Sequence, residues 1–135
     1  MRGASAIARI LRELPASQIR VLVVWEPVLW SDAFRPGDRA LVGKLPDERA
    51  SHYWDPEKGL SAEILRSPWT RQYAVRGGPG GVVWDWLAAY PPGTLWEEYF
   101  PEPELQGFPV VDATDRVHEW AQRAGSGGTE SEEFE

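Results

Sequence analysis

Five consecutive apolar residues, Val21 to Trp25, constrain this chain more than any other stretch. A strand with one wet face alternates apolar and polar side chains. An unbroken β-branched run instead predicts a strand covered on both faces, as in a parallel or mixed sheet flanked by helices. Pro27 has no backbone donor, so the ladder is expected to stop at about Glu26. The other segments read as layers packed against this strand.

Ahead of it, Ile7, Ile10, Leu11 and Leu14 recur at helical spacing, which predicts a helix over Ala4 to Leu14, ended by Pro15. Leu29 to Gly37 reads as loop. Asp38 to Lys44 reads as a short helical turn with Leu41 and Val42 inward, and Arg49 to Trp54 as a short extended piece. Asp55-Pro56-Glu57 is a helix entry, with Asp55 as cap; that helix is expected to run to about Arg66 and bury Leu60, Ile64 and Leu65. Alternation in Val82 to Tyr90 predicts a strand after the glycine-rich loop Gly77 to Gly81, with Thr94 to Tyr99 available to pair back. Pro101 to Pro109 reads as an extended connection, and Pro109 to Val111 as a brief edge strand. A last helix opens at Asp112 with Asp115 in the capping-box position, buries Val117, Trp120, Ala121 and Ala124, and ends at Gly125. Residues 1–124 are expected to form one domain, and 125–135 a disordered acidic tail.

What the chain lacks narrows its chemistry. It has no cysteine, which removes disulfides, thiolate metal sites and thiol nucleophiles. His52 and His118 have no partner at ligand spacing, and no cofactor is named by any motif. A net charge of -7 opposes binding to nucleic acid. Four of the acids (Glu130, Glu132, Glu133 and Glu135) lie in the tail, leaving roughly -3 on the rest. No apolar run is long enough to span a bilayer, and the arginine-broken N-terminus does not read as a signal peptide, so a cytoplasmic location without a membrane partner is expected.

The phrases Val21 to Asp32, Arg49 to Asp55 and Val82 to Asp85, in this order of helices and strands, resemble a group of poorly characterised bacterial thioredoxin-like proteins over residues 4 to 124. The resemblance implies an α/β three-layer sandwich with a mixed sheet, N-terminally incomplete because the first strand and its Cys-x-x-Cys have no counterpart in the chain. It also implies a shortened or degenerate relative of a thiol-redox protein that performs no thiol–disulfide exchange itself, and a cis-proline for which Pro79 is the candidate. The neighbours of the missing strand would carry unpaired backbone groups at about 1–3 kcal/mol each if buried. An upstream segment, another chain or a homodimer pairing exposed sheet edges would satisfy them.

Eight tryptophans raise a second reading, a non-catalytic protein-interaction module. Trp25, Trp84, Trp86 and Trp120 fall on expected core positions. Trp30, Trp54, Trp69 and Trp96 lie near loops and are the candidates for a ligand or partner surface, with the proline-rich stretch Pro101 to Pro109. Asp85, between apolar strand neighbours, is the candidate buried acid; a carboxylate hydrolase would need it and a second acid, and no spacing fixes that pair. Glycine-x-serine-x-glycine and phosphate-loop patterns do not occur.

Overall fold

The N-terminal apolar stripe forms helix α1, Arg2–Glu13, in a computed structural model that describes residues 2–27 and 42–126. Ala8, Ile10 and Leu11 are its buried residues. A helix C-terminus leaves carbonyls without donors, and a distant side chain supplies them here. The Arg49 guanidinium donates to the carbonyls of Leu11 at 2.7 Å, Leu14 at 2.7 Å and Ser17 at 3.0 Å. Its other edge is held by the Asp47 carboxylate, with contacts of 2.9 and 3.0 Å. Hydrogen bonds from the Arg49 side chain and backbone hold the Asp47 carboxyl down to about 2.

Strand β1, Val21–Trp25, stops before Glu26, where Pro27 requires it to. It pairs in parallel with β2, Ala50–Trp54, from Val21 opposite Ala50 to Trp25 opposite Trp54. Val21, Val23 and Ala50 pack on Ala8, Leu11 and Leu45. The other face is open, with Leu22 at 69% exposure and Tyr53 at 53%. This corrects the expectation of burial on both faces: α1 covers one side of the pair, and an apolar run does not by itself say how many layers meet it. On the covered side the Trp25 indole N–H donates to His52 Nδ1 at 3.1 Å, and His52 Nε2 lies 3.2 Å from the Leu45 carbonyl. The imidazole is thereby set as the tautomer with its hydrogen on Nε2.

Helix α2, Gly59–Arg66, begins later than its entry signal, because Lys58 adopts a left-handed backbone with φ 60°. Lys58, and not Asp55, takes the cap position, while Asp55 Oδ2 reaches in from further upstream to accept from the Leu60 N–H at 2.9 Å. Ser61 and Ile64 are the buried residues; Leu60 and Leu65 are half-buried. A 3-10 helix follows over Pro68–Tyr73.

The strand expected over Val82 to Tyr90 is shorter. Asp85 takes a left-handed backbone with φ 51°, which interrupts the extended run, and β3 is Leu87–Ala89. Trp84, expected inside, is 56% exposed. The antiparallel partner of β3 is β4, Leu105–Gly107, within the stretch expected as a connection, and not Thr94 to Tyr99. A Cβ at Gly107 would run into that of Ala113, so β4 lies tight against the 3-10 turn Val110–Ala113. That turn replaces the expected edge strand.

Helix α3, Thr114–Ser126, buries Val117 and Ala121 and contains Gly125, which does not end it. Ala124 faces solvent and Trp120 is half-buried. His118 Nε2 reaches Glu13 Oε2 at 3.2 Å, tying α3 to α1.

The described strands form two two-stranded sheets, one parallel and one antiparallel, where a single mixed sheet was expected. The architecture is mixed α/β. Among the described residues a cis peptide bond precedes Pro109, and not the candidate Pro79. The loop expected at Leu29 to Gly37, most of the turn at Asp38 to Lys44, and the tail beyond Ser126 lie outside the described residues. Val42 is 49% exposed, and Leu45 takes the buried place expected for it. No helix among the described residues is long and apolar enough to cross a membrane.

Candidate functional site

Residues 91–102 carry no helix or strand, yet their carbonyls are anchored from elsewhere in the fold. The Trp69 indole N–H donates to the Phe100 carbonyl at 2.6 Å. Tyr90 Oη donates to the Pro101 carbonyl at 2.8 Å, and Arg66 to that of Glu98 at 2.9 Å. Tyr73 Oη donates to Glu102 Oε1 at 3.2 Å. A chain held by its backbone presents its side chains outward. Leu95 is 74% exposed and Trp96 52%, while Glu97, Glu98 and Glu102 all face solvent.

Between this segment and the 3-10 helix Pro68–Tyr73 lies an open groove of about 520 Å³. Trp69, Gln72, Leu95 and Tyr99 line it together with the carboxylates of Glu97, Glu98 and Glu102; among the described residues no lysine or arginine does. Trp69 stacks on Trp86 at 6.2 Å, and Trp96 meets Phe100 edge-on at 5.0 Å. Burial pushes the phenols of Tyr73 and Tyr90 above their ordinary value, and for Tyr73 the bond to the Glu102 carboxylate adds to it. Both stay neutral donors at physiological pH. Beside the groove the Arg66 guanidinium sits 4.9 Å from the Tyr99 ring centroid. The surface thus already holds one guanidinium, the chain's own.

Of the four candidate tryptophans, Trp69 lines the groove as a buried wall. Trp96 is exposed and not part of the lining, and it meets the lining residue Phe100, whose carbonyl Trp69 holds. Trp54 is elsewhere, half-buried at the end of β2. Trp30 lies outside the described residues.

Asp85 is half-buried at its turn, where Oδ1 accepts from the Val110 N–H at 3.4 Å and so serves the start of a 3-10 turn. The carboxyl that burial perturbs is Glu26. Ser61 Oγ donates to Glu26 Oε1 at 2.6 Å and accepts from the Val83 N–H at 2.9 Å, while Glu26 Oε2 is enclosed without a hydrogen-bond partner. Desolvation raises the Glu26 pKa, the Ser61 bond opposes this, and the Asp55 charge adds to the rise. The sequence signal for it was its place directly after the apolar run. Ser61 is 1% exposed, so this pair ties β1, α2 and residue 83 together and offers no accessible nucleophile. Among the described residues no cluster of His, Cys, Asp or Glu is placed to hold a metal ion.

No family model, curated protein or solved structure matches this chain. The reading of the groove therefore rests on its chemistry alone.

Proposed function

We propose that this chain is a non-catalytic interaction module whose surface at residues 95–102 docks a basic segment of a partner protein. One observation carries the reading: the groove places three carboxylates among aromatic and aliphatic side chains, with no cation among the described residues of its lining. Such a surface matches arginine or lysine side chains, whose stems cover apolar rings while their charges meet carboxylates. An exposed cation–π contact contributes about 0.5–1 kcal/mol, and an exposed ion pair about 0–1 kcal/mol. A handful of them gives an affinity of roughly millimolar order, falling with added salt.

Titration of the chain with a fluorescent hexa-arginine peptide tests this. Saturable binding is expected, weakened about two- to fivefold in Trp96→Ala and up to about tenfold or more in Glu97→Gln/Glu98→Gln. Neutralising the tail acids Glu130, Glu132, Glu133 and Glu135 to glutamine is the control and leaves binding at the groove in place. Equal binding by wild type and groove variants refutes the proposal.

A second reading is a thioredoxin-like frame that does not perform thiol exchange. What supports it is strand polarity, a parallel pair early in the chain and an antiparallel pair late, with helices between and after. Two separate sheets count against it. Cross-strand NMR contacts joining the β1–β2 and β3–β4 pairs into one sheet would favour it; their absence would remove it.

A further inference from the structure

A basic surface of the kind the groove would take exists on the chain itself. A second groove, of about 680 Å³, runs between α1 and the start of α3. Arg2, Arg9 and Arg12 line it, with Ser5 and Ala6 between them and Val111 opposite. Positions 2, 5, 6, 9 and 12 share one face of a helix, the side opposite the buried Ala8, Ile10 and Leu11. Arg2 and Arg12 are exposed and have no ion-pair partner among the described residues. Arg9 reaches Glu13 at 3.9 Å with both side chains at least half exposed, a pairing too weak to neutralise the face. Asp112 and Asp115, close in sequence to the far wall, are exposed and do not line the groove.

The two grooves are opposite in sign: one carries three carboxylates, the other three guanidinium groups. The small side chains Ser5 and Ala6 leave room between the arginines for a ring, and Trp96 and Leu95 project from the acidic surface. Guanidinium groups stack on indole faces.

We infer that the chain associates with itself head to tail, the 95–102 surface of one copy seated on the α1 arginine face of the next. This rests on the reading of the acidic groove as a docking surface and names its partner as a second copy. The contact is heterologous, so it closes into a ring or continues, according to the angle between its two faces. The net charge of -7 opposes association at long range. Added salt screens that repulsion as well as the contact, and the decisive test is therefore exchange of charge and not salt alone.

The experiment is sedimentation equilibrium of the full chain over a concentration series, with far-UV circular dichroism to show that each variant is folded. For wild type the weight-average mass is expected to rise with concentration. In Arg2→Glu/Arg12→Glu and in Glu97→Arg/Glu98→Arg it is expected to stay at the monomer value, because each variant sets like charges against each other. Mixing the two variants restores opposite charges at both contacts, in the native sense at one and reversed at the other, and is expected to raise the mass again, to the heterodimer and beyond. A wild type that stays monomeric throughout, variants that associate as wild type does, or a mixture that stays monomeric would each overturn the inference. Binding of hexa-arginine by Arg2→Glu/Arg12→Glu separates the two claims. If that variant binds the peptide while wild type never self-associates, self-association fails and the docking surface stands.

Discussion

Arg49 and Glu26 show opposite ways of placing a charge within the fold. Arg49 satisfies three backbone carbonyls at the end of α1 and one carboxylate, so both ions keep partners. Glu26 has one of its two oxygens bonded and the other enclosed. Their pH signatures differ in sign. Asp47, lowered from its ordinary 3.8 to about 2, adds stability that is complete above the ordinary value and lost as pH falls through the window between the two. Asp47→Asn is expected to lower urea-unfolding stability at neutral pH and to remove that acid-limb dependence. For Glu26, raised by burial, stability is complete below the ordinary value of 4.5 and falls as pH rises through the raised one. Glu26→Gln is therefore expected to match wild type near pH 4 and to equal or exceed it at pH 7, read from the same unfolding curves. A Gln variant that is less stable at pH 7 by more than about 1 kcal/mol would contradict the assignment.

The elements divide into those that local pattern determines and those it does not. Helices α1 and α3 and strands β1 and β2 were legible because period and punctuation act within a few residues: Ile10 and Leu11 on a stripe, Pro27 after a run. Which face of β1 is covered was not legible, since Leu22 and Val23 are equally apolar. Leu22→Lys is expected to change stability by no more than about 0.5 kcal/mol, and Val23→Asp to cost about 2–4 kcal/mol. Denaturant titration checks both; equal losses would mean that both faces are enclosed. The pairing of β3 with Leu105–Gly107 was hidden for a different reason. Trp69, Arg66 and Tyr90 take carbonyls of residues 98 to 101 across 11 to 32 positions, and such side-chain-to-backbone bonds leave no local signature. The same bonds build the acidic groove. Four candidate tryptophans could be named from sequence, but not that Trp69 and Trp96 meet through Phe100.

On the scale of the molecule, charge is sorted and not spread. The arginines of α1 form one face and the carboxylates of residues 97 to 102 another, within a chain of net charge -7. If the proposed docking of a basic partner holds, its association rate is expected to fall with added salt. The eight tryptophans give the means to locate where such a partner sits, because each indole N–H reports its own surroundings. The measurement that bears most directly on the account is an NMR titration of the indole N–H resonances with hexa-arginine peptide. The account predicts that Trp96 shifts most and saturably, that Trp69 follows in smaller degree through Phe100, and that Trp25 and Trp120 stay in place. Shifts centred on Trp25 or Trp120, or no saturable shift at Trp96, would contradict it.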